Sequence, residues 1–449
     1  DMIFFTLLDR FLMPNKDGKY LTDFLSGLTV ALALIPEAVA FALVAGVNPT
    51  VGLYAAFFMC FITAVFGGRP GMISGATGAV AVIFAPLVIS QTALHGADTA
   101  LGYLFLAVIV MGIFQLIFGI CKLGKFVRLI PHPVMLGFVN GLAIIIFKAQ
   151  LSQFYVGTGA TASLISGIPL IAMVLLIALT MFIIHFLPKL TTVVPATLVS
   201  ILVVTGLATY LRSLGLDIYT VRDFISFMDP SNIAPTIAAG LPSFQLPPFS
   251  LHALSIVWPY AALAACVGLI ESLMTLTLVD ELTETRGQGN KESIGQGLAN
   301  LINGFFGGMG GCAMIGQSMI NIRAGGRTRV SGITASLSLL FFFLVGAVFI
   351  EAIPLAALVG VMFMVSIATF EWSSFRLLNK IPRSDFIVIF IVSATTVIVD
   401  LAIAVFVGII ISALVFAWEQ GKKILFTTHT NDLGHKHYVL NGPVFFGSA

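Results

Sequence analysis

Apolar residues run through this chain in long unbroken stretches, not in the alternation of a half-buried strand or the stripe of a surface helix. Such stretches lie near residues 21–44, 50–67, 76–91, 100–121, 132–150, 167–187 and 193–212. They recur near 254–279, 291–307, 313–321, 328–350, 354–370, 384–399 and 401–418. Most approach the roughly 20 residues that a helix needs to cross a ~30 Å hydrocarbon core. The pattern predicts an all-α membrane protein with 14 transmembrane segments, seven in each half. Between the halves, 213–250 is polar and carries Pro230, Pro235, Pro242, Pro247 and Pro248, the marks of a connector.

Composition removes the soluble alternative. The chain is 58% hydrophobic and 9% charged, whereas a soluble surface takes about 25% charged residues. Cys60, Cys121, Cys266 and Cys312 are widely spaced in or beside apolar stretches. They show neither metal-ligand spacing nor a disulfide framework, and read as small buried apolar residues. The start, 1–20, is polar and mixed without a small-residue cleavage pattern, so it is read as a cytoplasmic segment and not a signal peptide. Charge then orients the bundle. With an even number of spans both termini share one side. Placing that side in the cytoplasm leaves only Lys148, Arg212 and Arg222 of the 22 Lys and Arg at or near the outer face. That bias sets orientation, and one miscounted span would destroy it. The expected location is the plasma (inner) membrane, multi-pass, with 21–212 and 251–420 as two seven-span repeats.

Two spans are interrupted, and each is the third of its half. Phe66-Gly67-Gly68 leads through Arg69-Pro70-Gly71 to Ser74-Gly75-Ala76-Thr77-Gly78. Phe306-Gly307-Gly308 leads through Gly310-Gly311-Cys312 to Ala313-Met314-Ile315-Gly316-Gln317. Glycine and proline at this density break helices, so spans 3 and 10 are expected to cross partway as extended backbone and continue as half-helices. Bare backbone at that depth is tolerated only where it lines a cavity or lies inside protein. Interrupted spans at matching positions point to the binding site of an inverted-repeat transporter; two small-residue packing faces are the plainer alternative.

The chemistry follows from that geometry. A helix N-terminus offers unpaired N–H groups and partial positive charge, which suits an anion. Short helices starting near Thr77 and Ala313 from opposite faces aim both positive ends at one midplane point. Candidate substrate contacts there are Ala76, Thr77, Gly78 and Gln317, with Ser318 as a further polar group. Neither broken span holds a Lys or Arg, so a monovalent anion is compensated more readily than a divalent one. Acidic groups inside apolar spans cost about 2.5–3.5 kcal/mol each at a helix centre and need a reason. Glu37 and Glu271 stand in the first spans of the two halves, and Thr275 follows Glu271 by one helical turn. A carboxylate beside a hydroxyl and freed carbonyls suits Na⁺, or a protonatable relay. Phe41, one turn after Glu37, walls the cavity or packs in the core. Asp280, Glu281, Glu284, Glu351 and Asp400 read as solvated salt-bridging groups at span ends, and His132 as a loop or capping residue.

These residues resemble the SulP anion permease family. Ile35-Pro36-Glu37-Ala38-Val39-Ala40-Phe41-Ala42, with Ala45-Gly46-Val47 and Gly52-Leu53-Tyr54, is similar to its first signature. Ile130-Pro131-His132-Pro133-Val134, Gly289-Asn290-Lys291-Glu292 with Gly295-Gln296-Gly297, and Asn321-Ile322-Arg323 with Gly325-Gly326-Arg327-Thr328 extend the match along essentially the whole chain. Tyr438-Val439-Leu440-Asn441-Gly442-Pro443-Val444 resembles the first strand of the family's cytoplasmic STAS domain, so 421–449 reads as a linker and the start of a truncated STAS domain. The resemblance implies core and gate domains, elevator-like alternating access, a homodimer, and substrate between the third and tenth spans. By similarity to the bicarbonate branch, Glu271 and Thr275 form a Na⁺ site with the backbone of Ala313, Met314 and Ile315. Three departures stand out. Many members have Gln at Glu37, many have a basic residue near Gln317, and the bicarbonate branch has Asp at Glu271 and a hydroxyl residue at Ile315. The coupling ion is thus left open between Na⁺ and H⁺.

The expected function is cation-coupled symport of a small inorganic oxyanion, bicarbonate or sulfate. A carboxylate or nucleobase permease on the same scaffold, or a non-transporting anion sensor, are the alternatives. No nucleophile–base constellation or metal-ligand cluster points to an enzyme, and no cofactor beyond Na⁺ as coupling ion and no nucleic-acid partner is expected. The partners are the anion and the lipid bilayer.

Overall fold

Helices fill the apolar stretches of the first half almost residue for residue. They are α1 Tyr20–Ala45, α2 Pro49–Phe66, α3 Gly78–His95, α4 Ala97–Ile120, α5 His132–Gln150, α6 Ile168–Leu190 and α7 Ala196–Ser213. The second half contributes α9 Leu251–Thr283, α10 Gly289–Phe305, α11 Ile315–Arg323, α12 Arg329–Glu351, α13 Leu355–Thr369 and α14 Arg383–Ile398. This computed structural model describes residues 20–124, 132–156, 163–190, 196–228, 240–372, 374, 383–398, 407, 410, 411, 414, 425–430 and 436–441. Most of the predicted span at 401–418, the segment before Tyr20, Asp400, the linker before Leu425, Gly442–Ala449 and the His132 side chain lie outside them.

Among the described residues nine helices are long and apolar enough to cross a membrane, while α13 and most of α14 are shorter apolar helices. The stretches at 291–307 and 313–321 do form helices, but α10 carries a polar face and α11 has nine residues. Side chains fix several helix starts. Asn48 accepts from Thr50 N ahead of Pro49 at the first turn of α2, Ser250 accepts from Ala253 N at α9, and Thr328 accepts from Val330 N at α12.

Four readings need correction. The chain is not purely α: β1 Ser74–Gly75 pairs with β4 Cys312–Ala313, β2 Tyr155–Val156 with β3 Ser163–Leu164, and β5 Leu425–Thr430 with β6 Lys436–Asn441, all antiparallel. The connector holds a helix, α8 Val221–Met228, because Asp223 accepts from Thr220 N and Oγ1 at its start and apolar residues recur at helical spacing behind it. It is also tied to the α12–α13 junction, where Val221 N donates to Ile353 O and Leu355 N to Tyr219 O. Glu351, expected to be solvated, is buried at the end of α12. Of the cysteines, Cys60 and Cys312 are buried, but Cys121 and Cys266 reach the protein surface.

Two compact units divide the chain, 1–127 with 145–368 and 128–144 with 369–449. In the first, α4 and α10 approach at backbone distance. A Cβ on Gly112 would stand 2.5 Å from Leu301 N, and one on Gly297 would stand 2.6 Å from Leu116 N. Small residues permit this approach, which is how helices associate where lipid gives no hydrophobic drive. In the second unit α5 and α14 use the same device at Gly137 and Gly141, against Val392 and Thr396. There Asn140 donates to Ser374 Oγ and accepts from Glu371 N.

Candidate functional site

The site begins where two helices stop. After α2 and α10 the glycine-rich runs leave helical conformation, and in the first unit they meet as β1 and β4. Ser74 faces Ala313 and Gly75 faces Cys312. Met314 N donates to Ile73 O at 2.9 Å, and Ser318 Oγ accepts from Ile73 N at 3.0 Å. Gly311 lies against the Gly75 carbonyl, with no room for a Cβ between them, so glycine is required there. Past the pair the chain turns into α3 at Gly78 and α11 at Ile315. Neither Thr77 nor Met314, the residues before them, caps its helix with a side-chain hydrogen bond. The first-turn N–H groups of both helices are thus left without a cap from the preceding side chain.

A polar stripe on α10 holds both runs. Glu292, Gln296 and Asn300 are spaced by four and share one face. Glu292 Oε2 accepts from Gly68 N at 2.7 Å and Arg69 N at 3.2 Å. Gln296 Nε2 donates to Ser74 Oγ at 2.7 Å and to Glu292 Oε1 at 2.8 Å. Asn300 Oδ1 accepts from Gly311 N at 2.9 Å, and its Nδ2 donates to Gly311 O at 3.0 Å and Gln115 Oε1 at 2.8 Å. Backbone polar groups bared by the breaks thus find partners inside the protein, as a lipid environment demands. Glu292 and Gln296 figured in the sequence only as motif letters, and Asn300 not at all. The signal that could have found them is the polar spacing of four within an otherwise apolar span.

The predicted residues gather around these helix starts. Thr77 is buried, and its Oγ1 lies 3.3 Å from Cys312 Sγ. Cys312 is fully buried and donates to Glu271 Oε2 at 3.0 Å. A residue read as inert packing thus connects the two predicted subsites. Thr275, also buried, donates its hydroxyl to the Glu271 carbonyl at 2.8 Å, leaving oxygen lone pairs as its remaining function. Ser272 Oγ, on the next residue of α9, accepts from Ala313 N at 3.1 Å. Opposite, Phe41 packs on Gly78, where a Cβ would come within 2.7 Å of its ring. Glu37 is buried on α1, where the Gln317 side-chain amide donates to its carboxyl while Gln317 Oε1 has no partner among the described residues. Two of the departures from the family pattern are therefore neighbours. Ala76, Ala313 and Met314 are buried in the paired backbone, Ile315 is half-buried, and Gly316 is exposed with open space where a Cβ would stand. The first turn of α11 is thus reachable from outside.

Arginines hold the frame at one end. Arg69 pairs with Asp280 at 3.2 Å and donates to Val279 O, Thr283 Oγ1 and Thr285 Oγ1, gathering the C-terminal turn of α9, the helix of Glu271. Burial lowers the pKa of this guanidinium, Asp280 opposes the shift and Arg327 adds to it. Arg329 donates to Ala64 O, Val65 O and Gly67 O, closing the end of α2.

Comparison with known proteins matches this architecture. The model of the sulfate permease family fits residues 20–392. A putative sulfate transporter, YbaR of Bacillus subtilis (strain 168), is 45% identical over 435 residues, covering 96% of this chain and 84% of that protein. The bicarbonate transporter BicA of Picosynechococcus sp. is 33% identical over 401 residues, covering 87% of this chain and 69% of that protein. Among solved structures, the transmembrane domain of a cyanobacterial BicA superposes with a TM-score of 0.73 at 32% identity, covering 86% of this chain and 97% of the other. SLC26A9 superposes at 0.79 with 16% identity, covering 97% and 72%, a likeness of fold alone.

Proposed function

This chain belongs to the sulfate permease family, and on that premise we propose that it carries a small inorganic oxyanion, bicarbonate or sulfate, by cation-coupled symport. It is a multi-pass membrane transporter of small anions, not an enzyme. The observation that carries the finer reading is the β1–β4 pair. It brings two uncapped helix starts together beside the Thr77–Cys312–Glu271 chain. The N–H groups of α3 and α11, with the Thr77 hydroxyl, hold the anion, and Phe41 and Gln317 bound the space. Glu271, the Thr275 oxygen and the carbonyls near Ala313 and Ile315 take the coupling cation, Na⁺ or H⁺. Charge at Glu271 is then neutralised while the anion is bound, which lowers the cost of placing both in mid-membrane.

The matching positions of the two glycine-rich runs support a seven-plus-seven inverted repeat, with a nine-residue half-helix at span 10 and a longer, 18-residue helix after the break at span 3. Elevator-like movement of a core against a gate, a homodimer, cytoplasmic termini and a STAS domain beginning near β6 rest on the family resemblance. The test uses purified protein in liposomes under an inward Na⁺ or H⁺ gradient. Radiolabelled bicarbonate or sulfate accumulates, and Glu271→Gln lowers gradient-driven uptake by about tenfold or more, the effect of losing one charge-assisted contact. Absence of accumulation with either anion, together with an unaltered Glu271→Gln variant, would rule the symport reading out.

A further inference from the structure

The thiol of Cys312 carries one proton, and it is directed at Glu271 Oε2, 3.0 Å away. Its contact with Thr77 Oγ1 at 3.3 Å must then run the other way, with the hydroxyl donating to sulfur. With Glu271 free, the chain reads Thr77 O–H to Cys312 S–H to Glu271 carboxylate. The Thr77 proton points at sulfur and its oxygen lone pairs point elsewhere, the wrong polarity for a residue at an anion-facing helix start.

We propose that Cys312 is the positioning residue through which a cation at Glu271 readies Thr77 for the anion. This rests on the symport reading above and adds the means of coupling. A cation drawn to Oε2 displaces the thiol proton as that oxygen's partner. The S–H then turns about the Cβ–Sγ bond and donates to Thr77 Oγ1. The Thr77 hydroxyl turns in its place and presents its proton beside the first-turn N–H groups of α3. No covalent bond is made or broken, and each of the two protons stays on its own atom; only two torsions change. The register makes this possible, because Gly75↔Cys312 pairing sets the thiol next to Thr77, the residue just before α3. Cys312 and Thr77 are both buried, so their contact is shielded from solvent. The other buried cysteine, Cys60, donates to a backbone carbonyl, that of Gly332.

The measurement is the anion KM of the full chain in liposomes, with and without Na⁺ and with and without an inward H⁺ gradient, alongside gradient-free counterflow. A hydrogen bond to a charged partner is worth roughly tenfold in affinity, so the driving cation should lower the wild-type KM by about that factor. Cys312→Ser keeps a donor and an acceptor and should retain the cation dependence. A Cys312→Ala protein that still exchanges should lose most of the dependence, keeping only the part that neutralising Glu271 supplies directly. If Cys312→Ala does not assemble, Cys312→Val fills the space without a donor and carries the same expectation. Retention of the full cation dependence by the Ala or Val variant overturns the proposal, as does its loss in an exchanging Cys312→Ser. A wild type whose KM ignores both cations fails the symport reading itself, and the link with it.

Discussion

Asn300→Ala is expected to destabilise the protein by about 3–6 kcal/mol, because it leaves buried polar groups without partners. Its amide accepts from Gly311 N and donates to both Gly311 O and Gln115 Oε1. Alanine would orphan all three, deep in the protein where no water replaces the lost bonds. Each buried orphan costs about 1–3 kcal/mol, and the effects share one site, so they combine. Asn303, one turn further on the same helix, supplies the contrast. It is equally buried, but neither its Oδ1 nor its Nδ2 finds a partner. Its backbone carbonyl, which accepts from Gly308 N, survives substitution. Asn303→Ala should therefore be neutral or stabilising. Thermal unfolding of the two variants in detergent decides the matter: equal losses would mean that α10 does not hold β4 through the Asn300 amide.

Gly311→Ala should reduce uptake on the order of a hundredfold, the scale expected when groups that act together are misplaced by about 1 Å. The added methyl group would fall on the Gly75 carbonyl, which is backbone and has nowhere to retreat. Relief requires β1 and β4 to part, and with them the starts of α3 and α11. Gly316→Ala, five residues on, adds its methyl to open space and should leave assembly intact. Comparing surface expression, melting and uptake separates the outcomes. A Gly311→Ala variant transporting at wild-type rate would show that the strand pair does not set the site's geometry.

The apolar spans were readable because membrane insertion imposes a length and composition that single segments display by themselves. The stretch at 21–44 became Tyr20–Ala45, and 50–67 became Pro49–Phe66. The runs around Gly68 and Gly308 were readable too, since glycine and proline act locally on the helix that contains them. α3 starts one residue past Thr77 and α11 two past Ala313. What stayed hidden depends on partners far away in the chain. Ser74 meets Ala313 only through the fold, and no local pattern announces a two-residue strand. Asn300 and Asn303 are the same residue type on one helix, yet only the first has its amide bonded. Cys312 resembles any buried small residue until Thr77 and Glu271 are placed on either side of it. Glu37 and Gln317 stood as separate departures from a family pattern, and their meeting emerges only in three dimensions. The connector helix α8 spans only eight residues and is followed by five prolines, so its helical spacing is too short to stand out in 213–250.

The grip of α10 on the first glycine-rich run has a consequence for biogenesis. Glu292 accepts from Gly68 N across 224 positions of sequence. At synthesis rates of roughly 5–20 residues per second, that separation amounts to roughly 10–45 s. Throughout that interval the ribosome has delivered a segment whose amides end up buried at the arginine-held end of the bundle but whose acceptor does not yet exist. Until Glu292 arrives, headgroup water or the insertion machinery must serve those amides in its place. Maturation of this transporter is therefore a late event, completed when the ninth span arrives and draws its predecessor inward.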